Sequence, residues 1–120
     1  MAIIRLFTGA DGTSHFEDIE LVFEPLEDQS EGAIIHTSGG DIMIRRFDPT
    51  RSNPWHPAPG RVCVFTVSGA VDIEIGDGTI RRIGPGDILI AEDLTGQGHY
   101  TRESGDEPRV SVFVPLNQNA

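Results

Sequence analysis

The sequence predicts an all-β domain, a sandwich or barrel of short antiparallel strands. Three observations predict it. Apolar and polar residues alternate with a period of two through residues 71–75, and a short strand-length run, Ile88-Leu89-Ile90-Ala91, follows downstream. Turn signals, Gly76-Asp77-Gly78 and Gly84-Pro85-Gly86-Asp87, break these runs at short intervals. No segment carries a convincing helical period.

In chain order, residues 3–7 form a first strand, closed by the turn Gly9-Ala10-Asp11-Gly12. Ser14 opens a second strand, in which Ile19, Leu21 and Phe23 share one face with His15 in phase. Glu17, Asp18 and Glu20 make a charged face toward solvent or a partner subunit. Residues 24–32 are acidic, contain Pro25, and read as an exposed loop. Strands at 33–37 and 42–47 flank the turn Ser38-Gly39-Gly40-Asp41. Residues 48–54 form a loop that delivers Trp55 and His56. Pro57-Ala58-Pro59-Gly60 stiffens the approach to residue 61, because each proline fixes its own φ and biases the residue before it.

Residues 61–68 are apolar on both faces. Val62, Val64 and Thr66 point one way, Cys63, Phe65 and Val67 the other. A strand covered on both sides reads this way, as in a barrel with a second layer packed outside. Beyond the turn at Gly69, Val71, Ile73 and Ile75 continue the interior while Asp72 and Glu74 face water. The loop Thr95-Gly96-Gln97-Gly98 leads into a strand beginning at His99. Residues 103–107 turn, residues 109–114 form the last strand, and 115–120 are a tail. The total is about nine strands without internal repeat.

With 120 residues the chain forms one domain and can bury a core without disulfides. Nine basic residues against 19 acidic give a net charge of −10, a field that disfavours nucleic acid and anionic membranes. No apolar run approaches the ~20 residues that span a bilayer. The first residues lack the apolar core of a secretory signal, so a cytoplasmic protein is expected. All nine basic residues are arginine, which excludes a lysine Schiff base and a Walker-type phosphate loop. The single Cys63 forms no internal disulfide and reads as a small buried hydrophobe.

Gly69 and Gly84-Pro85-Gly86-Asp87 are the landmarks by which the stretch from about residue 33 to 116 resembles the cupin superfamily. The resemblance implies a double-stranded β-helix, or jelly-roll barrel, over residues 1–120. N-terminal strands and the acidic loop occupy 1–32 and the barrel core 33–116. Anchored on Gly69, the leading histidine of the first cupin motif falls on His56. Its second histidine falls on Ala58 and its glutamate on Val62. The histidine of the second motif falls on His99, with Gly96-Gln97-Gly98 in place of the usual Pro-x-Gly turn. Trp55-His56-Pro57-Ala58-Pro59, the run from Ala91 to His99, and Ser14-His15-Phe16 look like those of small, poorly characterised bacterial cupins.

Two imidazoles, His56 and His99, therefore stand where such a barrel has its ligands. Catalytic metal sites take three or more N or O ligands, so no cofactor is assigned. A divalent ion (Mn, Fe, Ni or Zn) would fall to His56 and His99, with His15 or Asp93 as supplements. A neutral imidazole both accepts and donates a proton near neutrality, and a carboxylate neighbour orients it. Asp93 and Glu92 precede His99, and His15 enters from the N-terminal strand. His56, His99 and His15 are thus the candidate catalytic residues, for isomerisation, elimination or lactone opening without a firmly held metal.

Val62, Val64, Thr66, Val71 and Ile73 would line a pocket for a small apolar or aromatic molecule. Trp55 stands at its mouth. Arg45 and Arg61 are candidates for a substrate carboxylate, Arg61 being nearer the expected mouth. Each residue also has a plain structural use: His56 caps a loop, His99 donates to a carbonyl, His36 lies at the surface. Two alternative functions stay open, a metal-dependent dioxygenase with an incomplete ligand set and a metabolite-binding module without chemistry. A homodimer is expected, because the face of Cys63, Phe65 and Val67 needs cover.

Overall fold

The computed structural model describes residues 4–11, 13–37 and 40–117. The expected features at Ile3, Gly12, Ser38, Gly39 and 118–120 lie outside the described residues. Among the described residues there are strands and no helix, hence no helix long and apolar enough to cross a membrane. In chain order the strands are β1 (Ile4–Thr8), β2 (Ser14–Asp18), β3 (Glu24–Pro25), β4 (Ser30–Thr37), β5 (Gly40–Phe47) and β6 (Ser52–His56). They continue with β7 (Val62–Ser68), β8 (Ala70–Glu74), β9 (Ile80–Ile83), β10 (Ile88–Ala91), β11 (His99–Ser104) and β12 (Arg109–Pro115).

β1 and β2 form a hairpin that joins neither larger sheet. The second strand expected to run through Phe23 stops at Asp18. Asp18 lies opposite Ile4, so β1 offers residues 19–23 no partner within the described chain. Phe23 instead lies under the Arg46 guanidinium, 4.2 Å from its ring centroid.

The remaining strands make two antiparallel sheets, ordered β10-β7-β12-β5-β4-β3 and β6-β11-β8-β9. Directly opposed residues of an antiparallel ladder share a face, so the register sorts the side chains. Arg45 and Phe47 of β5 lie opposite Ser111 and Arg109 of β12, and Val64 of β7 lies opposite Phe113 and Leu89. In the smaller sheet Val71 and Ile73 of β8 lie opposite Glu103 and Thr101 of β11. These inward faces line a cavity between the sheets. Phe47 at its base is almost completely buried.

The turn from β7 to β8 requires glycine. Gly69 has φ +71°, and a Cβ there would lie 2.6 Å from the Arg109 Cα. That approach lets β12 cross close behind the turn.

Four further expectations change. The acidic stretch is not simply an exposed loop: β3 and β4 run through it, Ser30 and Gly32 are buried, and Asp28 lines the cavity. Its carboxylate is drawn in by buried arginines. Residues 52–54, expected as the end of a loop, join Trp55 and His56 in β6 despite Pro54, because β6 is an edge strand where a missing N–H costs no ladder bond. Ile75 lies just after β8, one residue past the last position paired with β11, and is exposed at this end of the sheet. The outer layer expected over 61–68 is not supplied by the described residues. Phe65 and Val67 are 38% and 42% exposed, beside Ile88 and Ile90 at 59% and 57%.

Candidate functional site

The ladder between β6 and β11 sets His56 directly opposite His99. Both rings therefore go to the same face, where they line the cavity. Their centroids are 4.6 Å apart and their planes inclined by 56°. The register slips just beyond, so that Thr101 faces Asn53. β6 absorbs an extra residue there, and this bulge aims His56 inward. Gly98 makes the approach of the two strands possible. Its φ is +71°, and a Cβ would fall 2.0 Å from the His56 carbonyl oxygen.

Hydrogen bonds fix the protonated nitrogen of each ring. His99 Nδ1 lies 2.6 Å from Asp93 Oδ2. A carboxylate only accepts, so Nδ1–H donates to it and Nε2 is left as the basic nitrogen. His56 Nδ1 donates to the Pro54 carbonyl at 2.7 Å, and its Nε2 accepts from Asn53 Nδ2 at 3.2 Å. Asp93 is itself held in place: its carbonyl accepts from the Ala58 N–H at 3.0 Å, tying the two loops that carry the histidines.

The cavity has a volume of about 360 Å³. Val62, Val64, Val71, Ile73, Leu89 and Phe113 give it apolar walls. Arg45, Arg51 and Arg109 also line it, with Asp28. All three guanidiniums lie over the Phe47 ring, Arg109 at 3.8 Å, Arg51 at 4.7 Å and Arg45 at 4.9 Å from its centroid. Glu103, whose side chain is 1% exposed, accepts from Arg109 Nε at 2.7 Å and Nη2 at 3.0 Å, and from Arg51 Nη1 at 3.2 Å. Asp28 accepts from Arg51 Nη2 at 3.0 Å, from Arg45 Nη2, and from the Ser30 hydroxyl at 2.5 Å. Burial works to raise the Asp28 pKa, but the Ser30 hydroxyl and the charges of Arg45 and Arg51 together hold it below the usual aspartate value. Burial pushes the Arg45 guanidinium below the usual arginine range even with Asp28 beside it.

The residues read from the sequence divide accordingly. His56, His99, Val62 and Val64 line the cavity together with Ala58. Asp93 does not line it but grips His99 from behind. Thr66 is buried on the same inward face, its Oγ1 without a hydrogen-bond partner, outside the cavity wall. Trp55 points away and packs edge-on against Tyr100, ring centroids 6.0 Å apart at 80°. Arg61 sits 3.6 Å from Glu92 and does not reach the wall. His15 lies on the β1–β2 hairpin, exposed and 2.9 Å from Asp11, apart from the cavity.

Sequence reasoning missed Asn53, Arg51, Arg109 and Glu103, and ranked Arg45 below Arg61. The usable signal was phase: Arg45 alternates in step with Phe47, and Arg109 with Ser111 and Phe113.

The cupin motif implies a metal, and the donors here fall short of one. His56 and His99 offer two imidazoles, while Ala58 and Val62 offer nothing. Among the described residues no group of three or more His, Cys, Asp or Glu is placed to hold an ion. Such a set does not fit a resident metal with three protein ligands.

No family model and no curated protein matches the sequence. Solved structures do match the fold. A chain in the complex of Rhodobacter sphaeroides SigE with the anti-sigma ChrR superposes with a TM-score of 0.63 at 20% identity. The match covers 81% of this chain and 50% of that one, so this chain spans half its length. The Drosophila melanogaster CENP-C cupin domain gives 0.63 at 16% identity, over 81% of this chain and 71% of that one. An uncharacterized conserved protein with a double-stranded β-helix domain, from Klebsiella pneumoniae, gives 0.59 at 24% identity, over 81% and 80%. At these identities the likeness concerns the fold alone. The strand order, the cavity between the sheets and these superpositions together show that the chain has the cupin fold, an all-β double-stranded β-helix.

Proposed function

We propose that this small cupin domain binds a small organic molecule in its barrel and moves protons on it with His56 and His99, as an isomerase or lyase, without a resident metal. The observation that carries the reading is the facing pair of imidazoles on a largely apolar cavity, each with its Nδ1 proton committed. His99 takes the substrate proton at Nε2, and Asp93 balances the imidazolium that results. The electron pair left behind enters the new double bond. The proton passes from His99 Nε2 to the unprotonated Nε2 of His56, whose ring centroid is 4.6 Å away, and His56 delivers it to the accepting or departing atom. Asn53 serves both states of His56, since its amide NH2 bonds the neutral ring and its carbonyl, after a flip, the protonated one.

The test is deuterium exchange. A panel of enolisable carbonyl compounds in D2O, followed by proton NMR, should show incorporation catalysed by the protein after chelation. His99→Ala and His56→Ala should abolish it, and Asp93→Asn should slow it about 10²- to 10⁴-fold. Exchange that survives both alanine variants would overturn the reading. Ligand binding with no exchange would favour a metabolite-binding module, and activity restored only by added metal would favour the dioxygenase alternative.

The same reading includes a homodimer. Phe65, Val67, Ile88 and Ile90 form an exposed apolar strip on the outward face of β7 and β10, since Phe65 pairs with Ile88 and Cys63 with Ile90. A second copy covers this strip. Sedimentation should give a dimer that becomes a monomer in Phe65→Asp/Ile88→Asp.

A further inference from the structure

We infer that Arg45 is an anion subsite at the base of the cavity, and that the molecule bound there is a small monocarboxylate with an apolar body. The inference rests on the reading of the cavity as a small-molecule site and names the chemistry of its occupant.

The first argument is charge balance. Arg45, Arg51 and Arg109 line the cavity, and the carboxylates paired with them are Asp28 and Glu103. Three guanidiniums against two carboxylates leave one positive charge in excess. Charge taken out of water is costly unless it is paired. Asp93 does not compensate, because it is bonded to His99 and lies off the cavity wall. One negative charge delivered by a ligand would close the balance, whereas a dianion would overshoot it.

The second argument is hydrogen-bond capacity. Every nitrogen of Arg51 is committed: Nε to the Asp28 carbonyl, Nη1 to Glu103 and Nη2 to Asp28. Arg109 is committed likewise, Nε and Nη2 to Glu103 and Nη1 to Ser111. Arg45 differs. Its hydrogen bonds, to Asp28 and to Ser30, both leave from Nη2, and its Nε is buried without a partner. A buried donor left unmade is expensive. With both Nη2 hydrogens taken, Nη1 is the guanidinium nitrogen left to receive a carboxylate oxygen from the cavity, in a charge-assisted bond. Phe47 and Phe113, 4.9 and 4.7 Å from the Arg45 guanidinium carbon, hold its plane.

The third argument is the walls. Val62, Val64, Val71, Ile73 and Leu89 would receive a hydrocarbon or aromatic body between Arg45 and the two histidines. The cavity volume, about 360 Å³, falls at the small end for organic ligands. The carboxylate would thus anchor one end of the molecule and present the rest to His56 and His99.

The experiment compares matched pairs on the full chain: benzoate against benzamide, and hexanoate against hexanamide, by thermal shift and by the arginine Nε–H resonances in a ¹H–¹⁵N spectrum. The carboxylates should raise the melting point and move the Arg45 Nε–H signal, and the amides should do neither. Arg45→Met should weaken carboxylate binding about 10- to 100-fold, and Arg45→Lys, which keeps charge without the planar guanidinium, should fall between. The spectrum of the unaltered chain decides the matter even if Arg45→Met fails to fold. Amides that bind as well as carboxylates, or carboxylates that leave the Arg45 signal unmoved, would overturn the anion subsite and leave the small-molecule cavity standing. If neither class binds, both readings fall. Carboxylate binding that moves Arg45, with no histidine-dependent exchange, would support the subsite and reject the catalysis.

Discussion

Single residues set this site to within a few ångströms. Gly98 is the strictest of them. Alanine there combines a left-handed φ with a Cβ 2.0 Å from the His56 carbonyl oxygen and 2.4 Å from Pro57 N. Gly98→Ala should cost at least ~1–3 kcal/mol and separate the two imidazoles. Thermal melting and the histidine ring resonances would report it, and an unchanged melt with unchanged resonances would count against the geometry. Glu103 is the hub of the buried ion pairs, with Arg51 and Arg109 both on its carboxylate. Glu103→Gln leaves two guanidiniums short of charge and should cost about 3–5 kcal/mol in urea unfolding. Asp28 makes stability depend on pH. Its pKa is depressed in the folded state, so its contribution is fully present above the ordinary value of 3.8. That contribution is lost as pH falls through the lower folded value. Acid titration of stability should therefore show a falling limb below 3.8 that is shallower in Asp28→Asn. A limb of equal steepness in the variant would assign the acid sensitivity elsewhere.

Elements differ in how firmly they belong to the barrel. β7 and β12 have ladder partners on both sides, β12 between β7 and β5, and β7 between β12 and β10. β6 is an edge strand with Pro54 inside it, and it holds His56 through a ladder to β11 alone. Among the described residues the β1–β2 hairpin pairs only with itself, and a two-stranded hairpin alone is marginal in water. Amide hydrogen exchange should accordingly be slowest in β7 and β12, faster in β6 and fastest in the hairpin. Hairpin protection equal to that of β12 would mean that another surface covers it. The pattern of β7 was legible in the sequence, down to which side chains point each way, because period two admits only one assignment of faces. β6 was not legible. Proline argues against a strand unless the strand is known to be at an edge, and sheet order is not a local property.

At the scale of the whole molecule, two charge distributions oppose each other. The chain carries −10 overall, while the cavity base holds an excess of positive charge. In the homodimer proposed above, two copies meeting at the β7–β10 face would repel through their net charge and gain by apolar burial. Salt screens the first and leaves the second, so the dimer should tighten between ~0.01 M and ~0.15 M salt as the Debye length shrinks from ~30 Å to ~8 Å. Sedimentation across that range would check it, and a dimer loosened by salt would point to an interface held by ion pairs. The inward folding of the acidic segment belongs to this scale as well. Asp28 reads as one of eight acids in the first 31 residues, and nothing local distinguishes it from its neighbours. It becomes the partner of Arg45 and Arg51 only because β3 and β4 return along β5.

The sequence by itself determined the all-β class, the cupin resemblance, the turns at Gly69 and Gly84-Pro85-Gly86-Asp87, and the inward set Val62, Val64, Val71 and Ile73. These arise from periodicity and backbone preference, which act over a few residues. Only the tertiary structure decided that His56 faces His99 across a ladder, that His15 stands apart, and that Arg45, Arg51 and Arg109 lie inside while Arg61 does not. An arginine on a strand is read as a surface residue because burying its charge alone is prohibitive. Whether carboxylates remote in sequence arrive to share that burial is settled by strand order, which short-range patterns do not encode.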